Sequence, residues 1–313
     1  MIKKPSNTPV LFIMFNRPGT AQQVFQEIRK AKPVKLYVAA DGPRENRKDD
    51  IEKFQATRDI IKQVDWDCGV HTLFQEKNLG CKLGPLAGIN WFFEHEEEGI
   101  ILEDDCLPSQ SFFSFCQELL DFYRTDNRIM HISGNNFLGK TWGNGSYYFS
   151  KYSLSWGWAT WRRAWKYYDP SIKTFPDFKK EKQIQNIFTD RFEQKYWLKL
   201  LQKVYDGKID KAWDYQWTYT VWTQNGLAVL PNFNLVSNIG FGEGATHTTS
   251  LDSRIAHIKT EEIKEIIHPT FTIQNKEADK YIFINNYGGS LKSIIKSEMA
   301  DLIPVKIKTI IKK

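Results

Sequence analysis

Glu103, Asp104 and Asp105 are three consecutive carboxylates placed directly after the apolar run Gly99-Ile100-Ile101-Leu102. A short buried strand ending in three like charges is costly, because each carboxylate disfavours ionisation of the next. A hard divalent cation relieves that repulsion by taking oxygen ligands from one or two of them. The carboxyl ends of strands are also where open α/β sheets bind ligands. The triplet therefore points to a metal-assisted site for a phosphate or diphosphate. Two other strand-like runs end in residues that suit such a ligand: Asn16-Arg17 follows residues 10–15, and Asp41-Gly42-Pro43 follows residues 36–40. A guanidinium binds phosphate bidentately, and an aspartate can accept from a nucleobase N–H or a ribose hydroxyl. Turn chemistry explains Asp-Gly and Arg-Pro taken singly. Their shared position at strand ends with the triplet favours a site.

The second half adds aromatic candidates. Residues 155–165 read SWGWATWRRAW. Aromatic faces stack on sugar C–H surfaces, and Arg162 or Arg163 could meet an anion. The same segment suits a packed aromatic core in which Gly157 permits close approach. Trp213-Asp214-Tyr215-Gln216-Trp217 sets one carboxylate among rings. Burial there raises its pKa and makes it a stronger base when ionised; an Asp meeting a helix macrodipole is the structural alternative. Residues 240–247 form a glycine-rich stretch ending in His247, which could close over a diphosphate and supply a late metal ligand.

The elements that must position these residues are legible as an alternation. Residues 10–15, 36–40, 70–74, 100–102 and 129–133 read as strands. Thr20 and Gln23 have capping-box spacing ahead of Val24, Phe25 and Ile28. Residues 48–63 and 84–94 carry helical periodicity, and Ser109 reads as the cap of a helix through Tyr123. Strands alternating with helices predict parallel βαβ units and a doubly wound α/β sheet. After residue 140 the sequence turns Gly-, Trp- and Tyr-rich, and nine of the eleven tryptophans fall between Trp142 and Trp222. The expected organisation is a nucleotide-sugar half at 1–140, an acceptor-side half of the same domain at 141–258, and a C-terminal extension at 259–313.

Charge narrows the classes. The net charge is +6, but residues 292–313 carry six lysines against Glu298 and Asp301, so the rest is nearly balanced. A nucleic-acid-binding protein would carry its basic stripe on the folded part. The four cysteines form no Cys-x-x-Cys pair, which suits free thiols in a reducing compartment. Six apolar residues near the N-terminus are short for a signal-peptide core, and no run reaches the length of a membrane span. A cytoplasmic protein without an integral anchor is expected. Residues 291–313 alternate Ile, Leu and Val with Lys. They suit either an amphipathic segment on an anionic membrane surface or a solvated terminal helix broken by Pro304.

Six segments together resemble a known family: VLFIMFNRP at 10–18, VAADGP at 38–43, NLGCKLG at 78–84, GIILEDDCLPSQSFFSF at 99–115, WDYQW at 213–217 and SNIGFGEGATH at 237–247. The chain resembles nucleotide-diphospho-sugar glycosyltransferases of the GT-A fold. More narrowly, it is similar to bacterial relatives of the animal N-acetylglucosaminyltransferase that initiates complex N-glycans. The resemblance spans roughly residues 8–250. It implies a Rossmann-like, mostly parallel central sheet flanked by helices, with a Trp-rich acceptor side. It implies that Asp105 binds Mn2+ or Mg2+ bridging the donor diphosphate; His247 stays a candidate second ligand from its own segment, against the reading of a lone His that binds nothing. Asp104 would meet the ribose, Glu103 the donor sugar and Asp41 the base, uracil. Asn16, Arg17, Asn78 and Lys82 would surround the nucleotide, and Trp156, Trp158 and Trp217 the acceptor. Asp214 would be the general base of an inverting displacement. The animal enzyme has a tighter acidic pair before the second Trp, whereas this chain has Asp-Tyr-Gln-Trp, so Asp210 and Glu243 stay open as bases.

The implied activity moves a sugar from a UDP-sugar to a glycan or lipid-linked acceptor, as in surface-polysaccharide synthesis. A sugar-nucleotide nucleotidylyltransferase is the enzymatic alternative. It would want a Gly-rich, Lys/Arg-bearing loop after the first strand, and Asn16-Arg17-Pro18-Gly19 is sparse. A metal-dependent phosphohydrolase would want more clustering than six scattered His provide. A carbohydrate-binding protein using the Trp-rich segment is the non-catalytic alternative.

Overall fold

The computed structural model describes residues 7–45, 47–137, 139–241 and 258–287. In chain order the elements open with β1 (Val10–Met14), α1 (Pro18–Ala31), β2 (Lys35–Ala40), α2 (Lys48–Asp59), β3 (Gly69–Phe74), α3 (Gly80–His95) and β4 (Glu98–Glu103). They continue with β5 (Cys106–Pro108), α4 (Gln110–Phe122), β6 (Ile129–Ser133), β7 (Tyr147–Ser150), β8 (Trp158–Trp161) and α5 (Arg162–Trp165). Next come α6 (Phe175–Lys180), α7 (Ile184–Ile187), α8 (Arg191–Tyr205), α9 (Asp214–Thr223), β9 (Leu227–Pro231), β10 (Val236–Asn238) and α10 (Lys276–Asn286). Eight strands form one sheet in the order β3-β2-β1-β4-β8-β6-β9-β7, and β5 pairs with β10 in a separate ribbon. The β3-β2-β1-β4 half is wholly parallel, and β8 is the antiparallel strand inserted between β4 and β6. The α/β class with a mostly parallel, helix-flanked sheet is the one expected.

Strand periodicity explains why both faces are covered. Side chains alternate across a sheet, so residues two apart share a face. Val10, Phe12 and Met14 join Leu36, Val38, Ile100 and Leu102 in a core beneath Val24, Phe25 and Ile28 of α1 and Phe112, Phe115 and Leu119 of α4. Leu11 and Ile13 join Tyr37, Ala39 and Ile101 in a second core under Leu86, Ile89 and Phe92 of α3, with Trp158, Trp165, Trp213 and Trp217. Burying each such side chain stabilises by roughly 1.5–3 kcal/mol. Two apolar faces per strand are the reason these strands read as continuous hydrophobic runs.

Two helix starts differ from expectation. Helix α1 begins at Pro18, with Arg17 at the N-cap and no side-chain cap. Thr20 Oγ1 donates to the Arg17 carbonyl and Gln23 Nε2 to that of Gly19, so the capping box is not formed. Proline suits this position because its missing N–H is an orphan donor anyway. At α4, Ser109 occupies the N-cap but makes no capping bond. Glu262 does that work from far along the chain, accepting the N–H groups of Gln110 and Ser111 at 3.2 and 2.9 Å. Helix starts leave unpaired donors that any carboxylate can fill.

The chain divides into two compact units, residues 1–172 with 209–275, and residues 173–208 with 276 onward. Strands from both sides of residue 140 share the large sheet, and the described residues between 209 and 275 group with it. In the second unit Asp190 caps α8, accepting the Phe192 and Glu193 N–H groups at 2.8 and 3.3 Å. Trp197 and Tyr196 of α8 pack edge-on against Tyr287 and Phe283. Among the described residues no helix is long and apolar enough to cross a membrane. The tail at 288–313 lies outside the described residues, and with it the membrane-surface reading.

His131, on β6, is wholly buried and stacks on Trp158 at 5.1 Å. Its Nε2 donates to the Leu154 carbonyl at 2.9 Å, while Nδ1 accepts from the Trp217 indole N–H at 3.0 Å. Both bonds are satisfied by one neutral tautomer. Burial pushes the imidazole pKa down to about 4, with the Leu154 bond opposing. An unfolded imidazole takes up a proton near pH 6.5. Unfolding therefore binds protons between these values, and stability is full above about pH 6.5 and falls as pH drops towards 4. Urea unfolding of the wild type from pH 7.5 to 4.5 should lose on the order of 3 kcal/mol more than His131→Gln does. Parallel curves for the two proteins would contradict this account.

Candidate functional site

Register places the chemistry at one edge. Ile13 pairs with Glu103 across β1 and β4, and Met14 pairs with Ala40 across β1 and β2. Three adjacent parallel strands thus end level, and Asn16-Arg17, Asp41 and Glu103-Asp104-Asp105 project from the same carboxyl edge. The β5–β10 ribbon returns a later segment to that edge. Asn238 pairs with Cys106, and the Ile239 N–H donates to the Asp105 carbonyl at 2.8 Å.

The cation that relieves the triplet is Arg17. Its Nη1 donates to Asp105 Oδ2 at 2.8 Å, and its Nη2 donates to Asp104 Oδ1. Asp104 is buried, and its Oδ2 accepts the Phe15 N–H at 3.0 Å. Burial pushes the Asp104 carboxyl up while the Arg17 charge pulls it back. Burial disfavours the Arg17 charge too, but the two carboxylates outweigh it and hold the guanidinium above the ordinary arginine range. Glu103 is half-buried. Burial, then Asp105 and Asp104, push its carboxyl up to about 8, with Arg17 opposing and Asp214 adding a smaller push. A carboxyl protonated at neutral pH can donate a hydrogen bond as well as accept one.

Gly240 closes over this pair. A Cβ there would lie 2.2 Å from Asp105 Oδ2 and 2.7 Å from Arg17 Nη1. Only glycine lets the segment after β10 approach so closely. The contact is not readable from spacing alone.

Asp41 is a latch. Its Oδ1 accepts the N–H groups of Gly42 and Leu79, both at 2.8 Å, and its Oδ2 accepts the Gly80 N–H at 2.9 Å and Asn78 Nδ2 at 3.0 Å. Four bonds fill the acceptor directions of a carboxylate. They tie the end of β2 to the first turn of α3, which leaves Asp41 no acceptor for a base. Asn78 also donates to the Gly42 carbonyl at 2.8 Å and belongs to the same latch. Asn16 donates to buried Asp50 at 2.7 Å. The hydrogen bonds from Arg44, against the cost of burial, hold the Asp50 carboxyl down at about 2. Asp50, absent from the sequence-based candidates, thus orients Asn16. Beyond the β2 end, Pro43, Arg44, Ile51 and Lys77 line part of an open hollow of about 270 Å3. Lys82 lies on α3, 3.4 Å from the Pro170 carbonyl.

The Trp-rich half divides between core and edge. Trp158 and Trp217 are fully buried and cannot meet an acceptor, which corrects the expectation for both. Trp156 is half-exposed, packed against Phe137 at 4.7 Å and Phe241 at 5.7 Å. Arg162 and Arg163 donate to carbonyls of Glu96, Tyr123, Arg124 and Ile129, so they clamp chain ends rather than await an anion. Asp214 is the first residue of α9 and is half-buried. Its charge is felt by Glu103 and by Tyr168, whose hydroxyl pKa burial raises first of all. Asp210 is felt at Cys81, as is Glu103, and the Cys81 thiol donates to the Lys211 carbonyl at 3.2 Å. The 210–214 segment therefore faces the triplet from the α3 side.

For a metal the residues offer little by themselves. Among the described residues no three of His, Cys, Asp and Glu are grouped to hold one. Asp105 is the fitting donor: its side chain is 15% exposed, Oδ2 is taken by Arg17, and Oδ1 meets, among the described residues, the Cys106 thiol at 3.5 Å. Small divalent cations are commonly held by one or two carboxylates together with substrate phosphates, and that is the arrangement these residues permit. His247 and Glu243 lie outside the described residues.

No family model matches the chain, and no curated protein matches its sequence. Among solved structures it is similar to a UDP-glucose pyrophosphorylase complexed with UDP-glucose, at 11% identity and a TM-score of 0.32, over 51% of this chain and 78% of that one. It is also similar to the 4-diphosphocytidyl-2C-methyl-D-erythritol synthase of Anaerococcus prevotii, at 9% identity and a TM-score of 0.30, over 50% and 73%.

The latch reading of Asp41 has a direct consequence. Asp41→Asn replaces acceptor oxygens with an amide that faces N–H donors, and should destabilise the fold by about 1–3 kcal/mol. A urea midpoint equal to that of the wild type would refute the latch.

Proposed function

We propose that the protein is a glycosyltransferase that moves a sugar from a nucleotide diphosphate donor, a UDP-sugar, to a hydroxyl of a glycan or lipid-linked acceptor. The observation that carries this reading is the convergence of Arg17, the acidic triplet and the 210–214 segment at one carboxyl edge of the sheet. Arg17 supplies a fork that matches phosphate oxygens. Glu103 meets a hydroxyl of the donor sugar. Asp214 takes the proton of the acceptor hydroxyl as its oxygen attacks the anomeric carbon from the face opposite the leaving group. The bond from that carbon to the phosphate oxygen breaks, and its electron pair leaves on the nucleoside diphosphate. Mn2+ or Mg2+ held by Asp105 with the diphosphate would neutralise the charge on that leaving group. Of the three tryptophans expected at the acceptor, half-exposed Trp156 is the one that can meet a sugar.

The second reading is a sugar-nucleotide nucleotidylyltransferase, since one of the similar solved structures is a sugar-nucleotide pyrophosphorylase. Against it stands the connection after β1: only Phe15, Asn16 and Arg17 separate Met14 from Pro18, which leaves little chain to wrap a triphosphate. One assay separates the two. Incubated with UDP-sugars and Mn2+, a glycosyltransferase releases UDP without added pyrophosphate. A nucleotidylyltransferase makes UTP, and only when pyrophosphate is present. UTP formation alone would overturn the proposal.

Asp214→Asn should keep UDP binding by calorimetry and lose about 10²–10⁴-fold in UDP release from the donor with acceptor present. Turnover near the wild-type rate would remove Asp214 from the role and turn attention to Asp210.

A further inference from the structure

Of the two Asp105 oxygens that could receive a divalent cation, Oδ2 is occupied by an arginine of the same chain. We infer that Arg17 is an internal counter-ion that competes with the divalent cation for Asp105, so that cation binding requires Arg17 to turn from the carboxylates to the nucleotide diphosphate. The inference rests on the nucleotide-sugar reading for the ligand that draws Arg17 away, and on the ion pair itself for the competition.

Three features carry it. First, the fork is fully engaged: one arm holds Asp105 and the other Asp104, with Gly240 packed directly on the Arg17–Asp105 contact. A cation approaching Asp105 meets Oδ2 already bonded to a positive group, and like charges at such separations repel strongly in a partly buried site. Second, Arg17 is able to leave. Its side chain is 29% exposed, whereas that of Asp104 is 3% exposed. Its backbone is fixed at the N-cap of α1 by the turn into Pro18, so only the side chain has to move. Third, Asp104 does not depend on Arg17 alone, because its Oδ2 keeps the Phe15 N–H when the guanidinium turns away. A diphosphate offers the guanidinium the same planar, bidentate partner that it gives up. Nucleotide and cation therefore bind with positive coupling, each favouring the state in which Arg17 has left Asp105.

The test uses the full chain and Mn2+ alone, followed by the electron paramagnetic resonance of free Mn2+ at pH 7.5. Wild type should bind Mn2+ weakly, and Arg17→Met roughly tenfold or more tightly, with no nucleotide present. Arg17→Lys keeps a charge beside Asp104 but lacks the second arm, and its affinity should lie between the two. This variant decides the matter if Arg17→Met does not fold. Adding Asp105→Asn to Arg17→Lys should abolish the gain. Equal Mn2+ affinity in wild type and the Arg17 variants overturns the inference, as does a gain that survives Asp105→Asn. UDP titration of the wild type reports separately: absence of UDP binding counts against the nucleotide-sugar reading, while tighter Mn2+ binding in Arg17→Lys still supports the competition.

Discussion

The arrangement of the carboxyl edge depends on one electrostatic constraint: Asp104 is buried beside two other carboxylates and must be compensated locally. An uncompensated carboxylate in such a place either takes up a proton or destabilises the fold. Arg17 meets the requirement, and the Phe15 N–H completes it. The constraint explains several otherwise unrelated features. The chain must leave β1 and begin α1 within three residues so that Arg17 can reach across to β4. The segment after β10 must carry a glycine where it passes over the pair. The Arg17 hydrogen bonds go to Asp105 and Asp104, so Glu103 receives only its charge, which offsets burial and the two neighbouring carboxylates in part and leaves the Glu103 carboxyl pushed up.

Much of this was legible in the residues, and what was not fails for identifiable reasons. Strands β1, β2 and β4 follow from apolar runs of the right length, because strands buried on both faces leave that signature. The level ends of β1, β2 and β4 follow from parallel pairing. The need for a cation at the triplet was also readable, but the identity of that cation was not. Arg17 and Asp104 lie 87 residues apart, and the choice between a guanidinium and a metal is made by three-dimensional reach. The same limit applies to Ser109, whose capping role passes to Glu262, and to Asp41, whose four partners are assembled from two loops.

The tryptophans show a different limit. Trp156, Trp158 and Trp217 belong to similar segments, yet only Trp156 retains exposure. In β8 the period of two sends Trp158 into the core with His131, while Trp156 precedes the strand and escapes it. Composition identifies an aromatic-rich half; only the register of β8 and the face of α9 decide which rings are structural. The buried His131 belongs to the same lesson. It is a packed, hydrogen-bonded core histidine whose neutrality is enforced by its surroundings.

The ribbon formed by β5 and β10 has a consequence for the order of events during synthesis. The acidic triplet emerges from the ribosome long before residues 236–240 and Glu262, which respectively cover Asp105 and close the start of α4. Until then the carboxylates stay hydrated and their repulsion is screened by water. Dehydration of the triplet is thus deferred to the closing steps of folding, when the apolar cores on both faces of the sheet are available to offset it. Contacts of such long sequence separation are slow to form, and residues 236–240 and Glu262 cannot cover Asp105 and the start of α4 before most of the chain has been made.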